Sequence, residues 1–284
     1  MAALRGLGFE PRLGAGARKR GPIYFAGTRQ ERLADLHSAF EDPTTGAIIC
    51  LRGGYGSNYL LDGLEPGNVL ESIAQRPKPL FAYSDLTGLQ LRLLDELGLP
   101  AFHGPMLAAD FYLENGVHLE SFGAALAGEP YSVGANEGLR TLKPGSARGI
   151  LYGGCLSILA SLMGTPWEPQ TEGTLLFLED VGTKPYQVDR MIWQLRRAGK
   201  LEGVSGIVFG EMLDCVSPGA APELLEQAIL SALEGFEGPI AIGLRSGHVS
   251  RQNVTLTFGV EADLIAGEET RLQLLEPAVE RVKN

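Results

Sequence analysis

The stretch "KPLFAYSDLTGLQLRLLDELG", residues 78–98, sets a short apolar run against a leucine-spaced segment, with a serine and an aspartate at the junction. Pro79, Leu80, Phe81, Ala82 and Tyr83 read as a buried strand. Leu86, Leu89, Leu93 and Leu97 recur at helical spacing, so Ser84 and Asp85 fall in the turn between the two. The first N–H groups of a helix have no intrahelical acceptor, and a serine at such a turn presents its hydroxyl beside donors able to hold an oxyanion. The plainer reading of Ser84 is a helix N-cap. The Gly-x-Ser-x-Gly pattern of α/β-hydrolases is absent, because Ala82 and Leu86 occupy the glycine positions.

Working outward, the strand-then-helix rhythm repeats. Residues 31–40 are amphipathic, with Leu33, Leu36 and Phe40 on one face. Residues 47–51 form an apolar strand running into "RGGYGSNYLLDGL", and residues 100–102 form another short strand. Such alternation predicts an α/β fold with an N-terminal doubly wound, mostly parallel sheet. Further on, "GTLLFLEDVG" (173–182), "GVSGIVFGEM" (203–212) and "GPIAIGLRSGH" (238–248) read as strands. Residues 188–198 and 222–233 read as helices, and residues 253–266 with 270–279 as a final hairpin. That half is expected to be a mixed β/α domain. The expected division is an N-terminal domain over 1–118, a connection over 119–145 where periodicity weakens among glycines, and a C-terminal domain over 146–284. The opening "MAALRGLGFEPRLGAG" looks like the end of a helix, a stop at Gly8 and a strand, as if the chain opened inside a βα unit.

The chain has 284 residues, a formal net charge of -10 and a pI near 5.0. This balance argues against a nucleic-acid partner, which would be met by clustered Lys and Arg. The one basic cluster, Arg18-Lys19-Arg20, is short and reads as a solvated loop. Cys50, Cys155 and Cys215 are odd in number and lack CxxC spacing, which fits neither a disulfide framework nor a zinc site. No apolar stretch approaches the ~20 residues that span a bilayer. A cytoplasmic protein without membrane, metal or cofactor is the expectation.

A serine nucleophile needs a base and a group that orients the base. Four histidines exist. His37 sits within the helix of residues 31–40, and His118 in the irregular stretch. His103 follows the strand at 100–102, and His248 ends the strand at 238–248 after Gly247, the looser setting a proton shuttle needs. Glu179 and Asp180 end "TLLFLED", where acids point into the crevice at the carboxyl ends of strands. In "RGGYGSN", residues 52–58, glycines let backbone N–H groups approach a phosphate or an oxyanion closely, although neither the dinucleotide fingerprint nor the P-loop is matched.

Together these stretches resemble the LD-carboxypeptidase family of serine peptidases, the muramoyltetrapeptide carboxypeptidases, which also includes the microcin-immunity peptidases. The resemblance rests on "AGTRQERLADLHSAFEDPTTGAIICLRGGYGSNYLL", "YSDLTGLQL", "FHGPM", "GTPWEPQTEGTLLFLEDVGTKPYQVDRMIWQLRRAGKLEGVSGIVFGEMLDC" and "GHVSRQNVTLTFGVEADL", in that order. It implies a triad of Ser84 as nucleophile, His248 as base and Glu179 as its orienting group, with the backbone N–H groups of Gly54 and Asp85 as oxyanion hole. It also implies a murein peptide or related small peptide as substrate, cut at an L,D bond to release terminal D-alanine, and a homodimer. The substrate's free carboxylate calls for a cation, for which Arg52, Arg190 and Arg245 are the candidates. Three departures stand out: the sequence starts after the point where the family's first strand would lie, Ala82 replaces the family's glycine before "YSD", and Cys155 in "YGGCLS" replaces its asparagine. The alternatives are a microcin-immunity-type amidase, for which Trp167 and Trp193 are candidate aromatic pocket residues, and an inactive peptide-binding homologue.

Overall fold

A computed structural model describes residues 1–21, 23–64, 69–221 and 223–279. In chain order the elements begin with α1 (Ala2–Gly6), α2 (Arg29–Glu41), β1 (Ile48–Ile49), α3 (Asn58–Leu61), α4 (Val69–Gln75), β2 (Leu80–Ala82), α5 (Thr87–Leu97) and β3 (Ala101–His103). Next come α6 (Leu119–Ala127), β4 (Tyr131–Gly134), β5 (Arg140–Lys143), β6 (Gly145–Cys155), α7 (Leu156–Ser161), β7 (Thr174–Glu179) and α8 (Pro185–Arg197). The chain continues with β8 (Gly206–Gly210), α9 (Leu224–Ala232), β9 (Ile240–Leu244), β10 (Leu256–Phe258), β11 (Glu261–Ala266) and β12 (Arg271–Leu274). A 3-10 turn, Ser84–Leu86, joins β2 to α5.

The first sheet runs β1-β2-β3-β10; its first three strands are parallel and β10 is antiparallel to β3. It is covered on both faces, as alternation along β2 requires. Leu80 packs with Phe40, Leu61, Ile73, Leu89 and Leu93 from the α2 to α5 side. Its neighbour Phe81 packs with Leu4, Phe102, Phe111 and Phe122 on the other. The second sheet runs β4-β12-β11-β6-β7-β8-β9-β5, with parallel β6 to β9 at its centre and antiparallel strands on both flanks. One face, with Leu176, Leu178, Ile207 and Phe209, is sealed by Val188, Ile192 and Leu195 of α8 and Ile229 of α9. The opposite face, with Leu175, Phe177 and Val208, packs on Leu256 and Phe258 of β10 and Leu264 of β11.

Three expectations are corrected. Residues 119–145, read as a connection, contain α6, β4 and β5, and these two strands are the outer edges of the second sheet. Their weak periodicity reflects edge strands only partly buried on each face. The segment 253–266 is not one arm of a hairpin: β10 leaves to complete the first sheet, and only β11 pairs with β12. The strand expected after Gly8 joins no sheet among the described residues. The helix expected from Pro222 is described from Leu224, Pro222 itself lying outside the described residues. Among the described residues, no helix is long and apolar enough to cross a membrane.

Candidate active site

Strand β2 delivers Ser84. Tyr83 is fully extended, and Ser84 then turns into the left-handed region at φ +65°. A residue with a Cβ pays about 1–2 kcal/mol for that conformation. Strain of this kind persists where the surroundings enforce it, often at functional turns. Ser84 is not an N-cap: the cap position of α5 is Leu86, and the Ser84 side chain makes no hydrogen bond among the described residues.

The glycine loop closes on this turn. A Cβ on Gly53 would lie 2.8 Å from both Cβ and Oγ of Ser84 and 3.5 Å from the Asp85 nitrogen, so only glycine permits the approach. Gly54 itself has φ +106°. Ser57 holds the loop in place: its N–H donates to Asp85 Oδ2 at 2.9 Å and its hydroxyl donates to the Asp85 carbonyl. Asp85 and the Gly54 loop therefore stand together beside Ser84.

Glu179, the last residue of β7, is fully buried. Its Oε2 accepts from His248 Nδ1 at 2.8 Å and from the His248 backbone N–H at 3.0 Å. Gly247, at φ +90°, makes this possible, since a Cβ there would sit 2.5 Å from Glu179 Cδ. Burial disfavours the imidazolium. The hydrogen bond and charge of Glu179, with Asp180 and Asp110 adding to them, outweigh burial, and the His248 pKa is raised above the ordinary value of 6.5. The ring of Tyr83, the residue before Ser84, meets the His248 ring edge-on with centroids 5.2 Å apart. The nucleophile candidate and the His–Glu pair, from different sheets, thus share one neighbourhood.

The other candidates fall elsewhere. Asp180 accepts from the N–H groups of Ser157 and Val181 and from the Thr183 hydroxyl, each at 2.9 Å, which makes it a turn-holding carboxylate. His37 is half-buried on α2, 3.9 Å from Glu41. His118 caps α6, accepting from the Ser121 N–H. His103 is fully buried against Phe177 and Phe258, and burial, with the nearby His248, pushes its pKa down to about 3. It stays neutral and is sealed from solvent. Arg52 is exposed beside the glycine loop, 3.5 Å from where a Gly54 Cβ would stand. Arg190 lies over the Tyr186 ring on the exposed side of α8. Buried Arg245 donates to the Asn136 carbonyl at 2.6 Å, a structural use. Trp167 packs against the core of the first sheet and under Arg92, whereas Trp193 is exposed near Arg197. Cys155 is buried, its thiol pushed up by burial, and its N–H donates to Thr87 Oγ1 at 3.1 Å.

The sequence singled out the glycine loop of residues 52–58 as a whole, but not the close approach of Gly53 to Ser84 or the hold of Ser57 on Asp85 within it. Gly53 carries a legible signal, standing in a glycine pair after a strand, whereas Ser57 acts through a contact 28 residues along the chain.

Residues 1–104 match the LD-carboxypeptidase N-terminal domain, and residues 148–264 match the LD-carboxypeptidase C-terminal domain. A Bacillus subtilis protein named "Probable murein peptide carboxypeptidase" is 37% identical over 272 residues, 94% of this chain and 83% of that one. The crystal structure of muramoyltetrapeptide carboxypeptidase from Oxalobacter formigenes superposes with a TM-score of 0.83 at 27% identity, covering 97% of this chain and 93% of that chain. An MccF-like protein from Bacillus anthracis gives a TM-score of 0.86 at 25% identity, covering 97% and 89%. With both domains matched in order and a relative this similar along nearly its whole length, the chain belongs to the LD-carboxypeptidase family.

Proposed function

We propose that this protein is a serine peptidase that removes terminal D-alanine from murein tetrapeptide by cutting an L,D bond, with Ser84 as nucleophile, His248 as base and Glu179 as the group that orients His248. The observation that carries the reading is the pairing of a strained Ser84 with a His–Glu pair whose ring touches the preceding tyrosine. With Nδ1 committed to Glu179, Nε2 is the nitrogen left to take the Ser84 proton. Ser84 Oγ then attacks the carbonyl carbon, and the N–H groups of Asp85 and Gly54 receive the oxyanion. The imidazolium returns its proton to the leaving amine of D-alanine. Water, deprotonated by the same imidazole, releases the acyl group. Arg52 is the cation placed to receive the terminal carboxylate, since Arg190 and Arg245 are otherwise engaged. The names of the relatives support the murein substrate, and three free cysteines support a reducing, cytoplasmic setting.

Purified protein given L-Ala-γ-D-Glu-meso-diaminopimelate-D-Ala is expected to release D-alanine and leave the tripeptide, both read by mass spectrometry. Hydrolysis of an aminoacyl-sulfamoyl adenosine in place of the tetrapeptide would move the assignment to the microcin-immunity type. A chain that processes neither and leaves Ser84 unlabelled by a fluorophosphonate would be a binding homologue. Gly53→Ala, whose Cβ would press on Ser84 from 2.8 Å, is expected to lower kcat by on the order of 10²-fold through displacement of the nucleophile, with the fold kept by circular dichroism.

A further inference from the structure

Near the Ser84 turn lies a buried polar network in which Asp110, Asn253 and Gly247 are joined by hydrogen bonds. Asp110, in the segment after β3, is 5% exposed; Asn253, just before β10, is fully buried. One Asp110 oxygen accepts from the Met106 N–H at 2.8 Å and the other from Asn253 Nδ2 at 3.1 Å. The Asn253 amide in turn closes on the backbone of a single residue, Gly247. Its Oδ1 accepts from the Gly247 N–H at 3.1 Å and its Nδ2 donates to the Gly247 carbonyl at 3.0 Å. At the other end, burial and the neighbouring Asp110 carboxylate hold the Tyr83 phenol pKa above its ordinary value, and the Tyr83 ring lies edge-on against His248 with centroids 5.2 Å apart. The chain around Asn253 is pinned as well: its N–H donates to the Gly116 carbonyl at 2.8 Å, and its carbonyl accepts from the His118 N–H at 3.0 Å.

The two ends matter more than the middle. Tyr83 immediately precedes Ser84, and Gly247 immediately precedes His248. Building on the serine-peptidase reading above, we propose that Asp110 and Asn253 are positioning residues. Through this one carboxylate–amide pair they tie the side chain of the tyrosine before the nucleophile to the backbone before the base, and so set the Ser84 to His248 geometry across two sheets. A loop pinned only for stability would not need to reach Tyr83. A fully buried asparagine spending both ends of its amide on one glycine, beside Glu179, fixes the position of the following imidazole instead.

The groups facing His248 are Glu179, Asp180, Asp110 and His103, with Tyr83 against its ring; Asp110 is faced by Tyr83, Asn253 and His248. Negative charge on Asp110 favours the imidazolium, so Asp110→Asn should move the acidic limb of the reaction to lower pH, besides loosening the clamp. Tyr83→Phe removes one hydroxyl and cuts only the nucleophile-side link.

The test follows the rate of fluorophosphonate labelling of Ser84 against pH, which reports the serine–histidine couple whatever the natural substrate is. Both variants are expected to lose on the order of tenfold or more in the plateau rate with circular dichroism unchanged, and Asp110→Asn also to shift the limb downward. If folded variants keep the wild-type plateau and limb, or lose only thermal stability, the pair is merely structural and the proposal falls. Should Asp110→Asn fail to fold, Tyr83→Phe alone decides by the same plateau. The wild type and Ser84→Ala run alongside separate the two readings: wild-type protein left unlabelled at Ser84 overturns the triad and this proposal together. Labelling of wild type with no effect of Asp110→Asn or Tyr83→Phe overturns this proposal alone.

Discussion

Ser84→Ala is expected to abolish fluorophosphonate labelling and to lower kcat by on the order of 10⁴- to 10⁶-fold, the loss that follows removal of a nucleophile acting as one unit with its base. Stability should respond differently to the choice of replacement. Alanine at φ +65° keeps the left-handed strain of about 1–2 kcal/mol, whereas glycine relieves it and costs about 0.4–1 kcal/mol in unfolded-chain entropy. Ser84→Gly should therefore melt above Ser84→Ala by roughly 2 °C, although both are expected to be inactive. Calorimetry of the two variants checks this directly. A glycine variant no more stable than the alanine variant would mean that the turn is not strained.

The second large effect is expected from Glu179→Gln. The Glu179 oxygen that does not face His248, Oε1, has no hydrogen-bond partner among the described residues. A glutamine can put its NH₂ there and keep its oxygen on His248, so the fold should hold while the charge is lost. Loss of that charge is expected to lower kcat by on the order of 10³- to 10⁴-fold. It should also move the acidic limb of kcat/KM to lower pH, because Glu179 is the main group holding the His248 pKa above 6.5 against burial. Stability carries the matching sign. A histidine whose pKa is raised on folding stabilises the protein fully below its unfolded value and loses that contribution as pH rises through the folded value. The stability advantage of wild type over Glu179→Gln from this pair should therefore shrink from about pH 6 upward, as urea titrations at several pH values would register.

Much of this was legible in the sequence because it is local. The apolar run into Ser84 and the leucine spacing after it each satisfy a short-range rule, and β2, the 3-10 turn and α5 fall where those rules put them. Glu179 ends its strand for the same reason. His248 was singled out by its setting after Gly247, and the family resemblance then joined it to Ser84 and Glu179. The rest is set by distant partners. Nothing in "NVTLTF" tells whether Leu256 to Phe258 pair with β11 or with β3, because a three-residue apolar strand satisfies either sheet. Edge strands β4 and β5 lack a clean period, since neither face is consistently covered. Asp110 and Asn253 lie 143 residues apart, so no window along the chain contains both.

The return of β10 to the first sheet has an evolutionary consequence. A gene segment ending near residue 118 encodes a sheet that still lacks its fourth strand, and one beginning there carries a strand with no sheet of its own to join. Neither half is expected to fold in another protein as a self-sufficient unit. Recombination should therefore preserve the two halves as a pair.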